Sequence, residues 1–359
     1  MTNKPLRFAF VISDLSGGGA EKAVLKIAKL LADRGHSVRV VLLSNERSHP
    51  VPQSIEIDSI ASGIPSRGWF GKRLAAIRLR KTLDGGKLYH LVVSSLPYAD
   101  EVAHLARLVN HRCRIANTLS AEISALAGRD GGKAKRRISR YRKLYGNGSV
   151  VAVSHGVARD LETRFGVHGP VPVIPNPFDL EEIRAKALEI DDDIPDQPYV
   201  LHVGRFARQK RHDLLLDAWV RLGSLALLVL LTEPNAELIA MVRARGLEAS
   251  VRIAGFRQNP YSWMARAQLL VLCSDHEGLP NVLIEAISCG TPVVSTNCPS
   301  GPAEILSAFP DSLVPCGDSA ALADAIARTL ASPPDLAKFD FSPYLPDRIA
   351  SAWEALATS

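Results

Sequence analysis

Cysteine and long apolar runs are scarce in this sequence of 359 residues. Its five cysteines are odd in number and include no Cys-x-x-Cys pair. This pattern argues against a disulfide framework and a zinc ribbon, and it predicts a reduced, cytoplasmic setting. The longest uninterrupted apolar stretch, residues 225–231, has seven residues, whereas about 20 are needed to cross a bilayer. We therefore expect a soluble protein that is at most peripheral to a membrane.

A leader sequence and a strong compositional bias are also lacking. The apolar run at residues 6–12 is short, is followed at once by Asp14 and has no cleavage-site pattern, so we expect no signal peptide. With 47% apolar and 22% charged residues, the composition excludes disordered and collagen-like classes. The chain length predicts about two to three domains.

Charge is unevenly distributed along the chain. Residues 1–178 carry 28 Lys and Arg against 13 Asp and Glu, a net charge of +15. Residues 179–359 carry 15 against 24, a net charge of −9. The overall net charge of +6 hides this contrast, which indicates two domains with different partners.

Apolar, β-branched runs alternate with amphipathic helical patterns, six runs in each half. They are residues 7–12, 38–43, 90–95, 114–118, 150–154 and 171–174, then 199–203, 226–231, 251–254, 269–273, 292–295 and 313–315. Strands that are apolar throughout and alternate with helices predict parallel sheets covered on both faces. We predict an α/β protein of two doubly wound, Rossmann-like domains. The proline-studded segment 171–177 places the boundary near residues 175–180, dividing residues 1–176 from 177–343.

Two short motifs each allow two interpretations. Gly17, Gly18 and Gly19 lie between the first strand and a helix, where their amides could bind an anion or simply form a tight turn. The spacing is not that of a dinucleotide fingerprint. The acidic run 191–193 could be a metal-binding motif, but no strand delivers it to a ligand-binding edge, and a solvated acidic loop is favoured.

The strongest signals follow two strands of the second half. Arg205 and Lys210 lie in a segment with four cations in seven positions, directly after a strand, where doubly wound domains bind ligands. Arginine and lysine together can neutralise a diphosphate without a metal. After a later strand come Glu277, the segment 278–281 and Glu285, in which backbone amides could accept a phosphate and carboxylates could accept sugar hydroxyls.

This ordered set of motifs resembles the retaining glycosyltransferases of the GT-B fold, family 4. The resemblance extends over nearly the whole chain. It implies two Rossmann-like domains that face each other across a cleft, with residues 344–359 forming a helix that returns to the first domain. It also implies a hexosyl- or N-acetylhexosaminyltransferase that takes a nucleotide sugar, with UDP the expected nucleotide, and needs neither a metal nor another cofactor.

The resemblance assigns roles to individual residues. Arg205 and Lys210 would hold the donor diphosphate and stabilise the leaving group, with the amides of Gly17–Gly19 closing on it. Glu277 would face the donor sugar, and Glu285 would bind the ribose. The remaining expected donor contacts are Phe256 and Arg257 at the base and Gly278, Leu279, Pro280 and Asn281 at the sugar and β-phosphate.

The acceptor side departs from the family pattern. Many relatives have a histidine after the fourth strand of the first domain, where this chain reads Arg114-Ile115-Ala116-Asn117-Thr118. Asn117 and Thr118 are therefore candidates for sugar contact. His155 is a further candidate, and a loop-capping role for it is about equally supported. Two competing interpretations are a non-catalytic protein that binds a nucleotide sugar or has a regulatory role, and a nucleotide-sugar epimerase.

Residues 129–143 concentrate eight cations against one Asp. A solvated basic face is the plain interpretation, and nucleic-acid binding lacks aromatic platforms or a known motif. Attraction to an anionic membrane fits a basic helix of this size. We expect membrane docking on the inner face of the cytoplasmic membrane, where an acceptor would be a lipid-linked or lipopolysaccharide glycan. The docking candidates are Lys133, Lys135, Arg136, Arg137, Arg140, Arg142 and Lys143.

Overall fold

The computed structural model describes residues 4–15, 19–46, 54–61, 68–84, 88–223 and 225–359. The chain forms two compact units, Met1–Pro177 with Ser342–Ser359, and Phe178–Phe341. These limits lie within two residues of the divisions expected after residues 176 and 343.

The first unit is built on a parallel sheet with the strand order β3-β2-β1-β4-β5-β6. Its strands are β1 (Arg7–Ile12), β2 (Ser37–Leu42), β3 (Glu56–Ser59), β4 (Leu91–Ser95), β5 (His111–Ile115) and β6 (Val150–Ala152). The helices are α1 (Gly19–Asp33), α2 (Trp69–Asp84), α3 (Pro97–Ala106), α4 (Leu119–Ala127), α5 (Gly131–Tyr145) and α6 (His155–Phe165). The chain end adds α14 (Pro346–Thr358).

The second unit repeats this topology. Its strands are β7 (Tyr199–Val203), β8 (Leu227–Leu231), β9 (Val251–Ile253), β10 (Leu269–Leu272), β11 (Val293–Thr296) and β12 (Leu313–Val314), in the order β12-β11-β10-β7-β8-β9. Its helices are α7 (Leu180–Ala187), α8 (His212–Leu222), α9 (Ala236–Arg243), α10 (Tyr261–Arg266), α11 (Asn281–Ser288), α12 (Pro302–Ile305) and α13 (Ser319–Ala331). In both units the first strand lies between the second and the fourth, which is the doubly wound arrangement.

Two strand predictions in the first unit were wrong in detail, and one strand was not predicted. The strand β3 has no apolar run, because it is an edge strand whose residues are half-buried or exposed. The predicted strand 114–118 is displaced to His111–Ile115, so Asn117 and Thr118 lie in the loop beyond it. The predicted strand 171–174 is reduced to a single bridge between Val173 and Ala152.

The C-terminal helix α14 completes the core of the first unit. Trp353 is fully buried against the sheet, with its ring edge-on to Phe10 at 6.2 Å. At the rim, Arg34 pairs with Asp347 and Glu354, each at 3.0 Å. Helix α14 therefore packs beside α1 on the same face of the first sheet, so the chain end returns to the first unit as the family resemblance implied. Within the described residues, no helix is both long and apolar enough to span a membrane.

Candidate functional site

Two loops of the second unit meet because their strands are neighbours. Strands β7 and β10 pair directly, Val200 with Leu269 and Leu201 with Leu270, so the chain leaves both at the same edge of the sheet. After β7 it forms a single 3₁₀ turn, Arg208–Lys210. Gln209 ties this turn to the loop after β10: its carbonyl accepts from the Asp275 amide at 2.8 Å, and its side chain donates to the His276 carbonyl at 3.1 Å.

Lys210 and Glu277 form an ion pair at the junction of these loops. Lys210 Nζ lies 2.6 Å from Glu277 Oε1, and the side chains are only 17% and 10% exposed. Ser274 Oγ donates to the same carboxylate oxygen at 2.6 Å. A charge-assisted pair in such a sheltered position is held in one geometry. The ammonium group is therefore fixed before any ligand arrives.

The four cations of the segment 205–211 have different surroundings. Arg211 adopts a left-handed backbone conformation (φ 49°), and its guanidinium bonds to Asp213 and Asp275 at 2.9–3.1 Å. These hydrogen bonds raise the Arg211 pKa, and its charge is used to hold the two loops. Arg205 and Arg208 are exposed, and their side chains make no hydrogen bond or ion pair among the described residues.

Two buried histidines lie beneath Lys210. The rings of His202 and His212 are 4.8 Å apart, and His202 Nδ1 donates to the Val271 carbonyl at 2.9 Å. Burial lowers their pKa values to about 3 and about 4, so both are neutral at physiological pH. The floor under Lys210 is therefore uncharged, and its ammonium contacts the carboxylate of Glu277 instead.

Helix α11 begins at Asn281 and carries Glu285 on a half-buried position. Tyr261 donates a long hydrogen bond of 3.4 Å to Glu285 Oε1. The turn before α11 is backed by Gly301 (φ 96°), where a Cβ would lie 2.2 Å from Pro280 Cδ. Only glycine fits that position, because both the backbone conformation and the contact exclude a side chain.

Phe256 and Arg257, the expected base contacts, differ in exposure. Phe256 is 61% exposed. Arg257 lies over the Trp263 ring at 5.1 Å and pairs with Asp193 at 2.8 Å. Trp263 also donates to Asp191 at 2.7 Å, so one end of the acidic run is tied to the second unit, whereas Asp192 and Asp193 are exposed in a loop. Within the part of the chain that is described, no cluster of His, Cys, Asp or Glu could hold a metal ion.

The acceptor-side candidates belong to the first unit. Thr118 is buried and precedes α4, and Asn117 is half-buried beside it. His155 is exposed at the start of α6, where Ser154 supplies the helix cap by accepting from the Val157 amide at 3.3 Å. The side-chain cap is thus made by Ser154. Gly17 and Gly18 lie outside the described residues, and Gly19 begins α1.

The basic segment forms α5, as predicted from residue 133 onward. On one side of α5 the side chains are buried, among them Tyr141, Leu144 and Tyr145. Of its seven docking candidates, Arg137 is half-buried and the rest are exposed. Lys133 pairs with Asp130 at 3.1 Å, and Arg140 pairs with Glu101 at 3.0 Å.

A group of buried polar side chains lies where α3 and α5 meet the sheet; we call it the Asp100 cluster (Ser94, Asp100, His111, Cys113 and Tyr145). Asp100 accepts from Ser94 Oγ at 2.5 Å and from Tyr145 OH at 2.8 Å. His111 Nε2 lies 2.8 Å from Ser94 Oγ. Burial raises the Asp100 pKa to about 7 and lowers that of His111 to about 4.

Several of these residues were missed by sequence reasoning. Ser274 lies within the predicted motif, but its bond to Glu277 depends on how the loop folds. Tyr261 is separated from Glu285 by 24 residues, and a lone tyrosine in a short helix gives no signal. His202 lies within β7 and His212 follows the segment 205–211, yet only their burial shows that both are neutral.

Two doubly wound units, each with a parallel six-stranded sheet, are the architecture of GT-B proteins, and comparison with known proteins agrees. "Glycosyl transferases group 1" matches residues 197–332, and "Glycosyltransferase Family 4" matches residues 17–182. The Anabaena protein HepE, solved with UDP-glucose, superimposes with a TM-score of 0.76 at 19% identity, covering 99% of this chain and 100% of that one. This chain belongs to the group 1, family 4 glycosyltransferases.

Two curated relatives extend over most of the chain. One is the Campylobacter jejuni N-acetylgalactosamine-N,N'-diacetylbacillosaminyl-diphospho-undecaprenol 4-alpha-N-acetylgalactosaminyltransferase, 29% identical over 308 residues and 83% of each chain. The other is the lipopolysaccharide core biosynthesis glycosyltransferase LpsE of Rhizobium meliloti, 26% identical over 88% of this chain and 86% of that one.

Proposed function

We propose that this chain transfers a sugar from a nucleotide-diphosphate sugar to a lipid-linked or lipopolysaccharide-type glycan, with retention of configuration and without a metal. The observation that carries the proposal is the pair of cations at the carboxyl edge of the second sheet. Lys210 is held in place by Glu277, and Arg205 is exposed without a partner in the described residues.

The two cations have complementary parts in the proposed reaction. Bond cleavage between the sugar C1 and the diphosphate oxygen builds negative charge on the leaving group. A pre-positioned ammonium and a free guanidinium stabilise that charge. The acceptor hydroxyl attacks C1 on the face that the diphosphate leaves, and its proton passes to a phosphate oxygen of the leaving group. Glu277 has the role of positioning Lys210 and facing the donor sugar.

The acceptor class follows from the relatives' names. The Campylobacter relative is named for a diphospho-undecaprenol substrate and the Rhizobium relative for lipopolysaccharide core biosynthesis. Both names describe glycans attached to a lipid, and they support an acceptor of this chain that lies at a membrane surface. We assign the contact with that surface to the exposed cations of α5, at a site on the cytoplasmic face of the membrane. UDP-sugars are the first donors to test, since HepE was solved with UDP-glucose.

Thermal stabilisation by UDP-, GDP- and ADP-sugars, followed by transfer to lipid-linked acceptors, tests the proposal. Lys210→Ala and Arg205→Ala should each lower kcat at least ~100-fold, comparable to the loss of one oxyanion donor. Arg243→Ala, an exposed cation elsewhere in the second unit, is the matched control. Activity within a few-fold of wild type in both variants contradicts the assignment. Donor binding without transfer would instead support a non-catalytic protein.

A further inference from the structure

Helix α2 exposes large apolar side chains on one face. Trp69, Phe70 and Ile77 are 60%, 81% and 66% exposed, and the rings of the first two pack edge to face at 4.7 Å. The opposite face of α2 is buried against α3 and the sheet. Three large apolar residues on one exposed helix face are unusual for a surface that contacts only water.

Cations accompany these apolar residues on the same face. The Arg73 guanidinium lies over the Trp69 ring at 4.1 Å. Arg80 and Lys81 are also exposed, with Arg80 paired to Asp84 at 3.1 Å. A helix face that combines aromatic rings with Lys and Arg is typical of segments that lie in the interface of an anionic bilayer.

The position of α2 connects this face to the basic helix. Glu101 of α3 accepts Lys72 of α2 on Oε2 and Arg140 of α5 on Oε1, the latter at 3.0 Å. The first turns of α2 therefore lie close to the middle of α5. Because α2 follows β3, its first turn is also at the carboxyl edge of the sheet, where Asn117 and His155 lie.

We propose that the α2 face (Trp69, Phe70, Arg73 and Ile77) inserts into the interfacial layer of an anionic membrane and anchors the edge of the first unit that receives the acceptor. This inference rests on the proposed function, which requires a lipid-attached acceptor. The cations of α5 attract the protein to the surface from a distance, while the rings of α2 enter the headgroup region. Two such signals together give stable binding where either alone is weak and reversible.

Tryptophan fluorescence reports insertion directly. All four tryptophans lie in described residues; Trp219, Trp263 and Trp353 are fully buried, and Trp69 is the exposed one. On anionic vesicles of phosphatidylglycerol and phosphatidylcholine we expect a blue shift, quenching by lipids brominated on their acyl chains, and protection from aqueous iodide. Trp69→Phe should abolish these signals while the protein still sediments with the vesicles. Trp69 that stays accessible to iodide on sedimented vesicles overturns the proposal.

Paired variants measure the contribution to binding. Trp69→Ala/Phe70→Ala should weaken vesicle partitioning roughly tenfold or more, because about half of the surface of each aromatic side chain leaves water on insertion. The loss should persist at high salt, which screens the contribution of α5. Leu88→Ala/Val109→Ala is the matched control, because these exposed residues precede β4 and β5 at the opposite edge of the same sheet. Equal effects of both variants contradict a specific anchor.

The outcome separates this inference from the proposed function. Trp69→Ala/Phe70→Ala should bind the nucleotide sugar normally and transfer to a detergent-solubilised acceptor, but lose activity toward the acceptor in vesicles. Normal transfer in vesicles overturns the anchor and leaves the glycosyltransferase intact. Loss of self-association in this variant, measured by sedimentation velocity without lipid, would show instead that the face binds a second copy of the chain.

Discussion

The two units of this chain share one strand order and differ in charge. The first unit carries 29 Lys and Arg against 15 Asp and Glu, a net charge of +14, and the second carries 14 against 22, a net charge of −8. In the second unit, Lys210 and Arg211 are held by carboxylates. On α5 of the first, Lys135, Arg136 and Lys143 are exposed and have no ion-pair partner in the described residues.

Charges held in a fixed position and charges left exposed suit different tasks. A fixed ammonium can stabilise one leaving group at one point, because its geometry is set in advance. Exposed cations act together over a surface and tolerate varied geometry. Both units contain a histidine whose pKa is lowered by burial, His111 in the first and His202 in the second, and the first also buries Asp100, with a raised pKa.

Substitutions in the two cores should have the largest effect on stability, and they test whether the units unfold independently. Trp353→Ala should cost about 3–5 kcal/mol of unfolding free energy in the first unit, the usual range for a buried tryptophan. Amide hydrogen exchange should accelerate in β1 and α1 and stay unchanged in β7 and β10. Trp219→Ala, which removes a fully buried ring of the second unit, should do the reverse. Equal acceleration in both units would mean that they unfold as one.

Asp100→Asn tests the buried acid of the first unit. Burial raises the folded pKa from 3.8 to about 7, so between these values the folded chain holds a proton that the unfolded chain has released. Wild-type stability should therefore fall relative to Asp100→Asn as pH rises from about 4 to about 7, and level off above. The difference should reach up to about 4 kcal/mol, at ~1.4 kcal/mol per pKa unit.

Urea unfolding across this pH range measures the difference. The comparison with the variant is necessary because His111 in the same cluster has a lowered pKa, which works in the opposite direction. Wild-type stability that stays level or rises relative to Asp100→Asn across this range would show that Asp100 is ionised throughout.

Neutralising the exposed cations of α5 tests their proposed role in binding an anionic membrane. Lys135→Gln/Arg136→Gln/Lys143→Gln should weaken binding to anionic vesicles by about 3 kcal/mol, roughly 100-fold, at ~1 kcal/mol per residue. Co-sedimentation with and without phosphatidylglycerol measures it. Arg221→Gln/Arg243→Gln/Lys338→Gln removes three exposed cations of the second unit and should have little effect. Binding that does not depend on anionic lipid would rule out this role for α5.

The ion pair of the second unit is expected to give the smallest effect. A double-mutant cycle with Lys210→Met and Glu277→Gln should yield a coupling energy of about 1–2 kcal/mol in urea unfolding, because each single variant leaves a sheltered partner unpaired. Ser274→Ala should reduce the coupling, since its hydroxyl orients the carboxylate. Strictly additive variants would mean that the pair contributes no fixed geometry.

Much of the fold could be predicted, because buried parallel strands such as Leu269–Leu272 are apolar along their whole length. The edge strand Glu56–Ser59 could not, since a solvated strand lacks that pattern. In the candidate site, Lys210 and Glu277 were both expected at strand ends. The ion pairs of Arg211 with Asp213 and Asp275 could not be predicted, because the sequence does not show which cation of the segment 205–211 will be paired.

The sequence by itself determined the two-domain α/β class, the unequal charge and the motifs that follow β7 and β10, because these depend on residue type and on spacing along the chain. Tertiary structure alone decided which charges are paired and which are exposed. Lys210 and Glu277 are 67 residues apart and meet only because β7 and β10 are neighbours in the sheet. Glu101 likewise joins α2 to α5 through contacts that arise from packing, and no local sequence pattern predicts them.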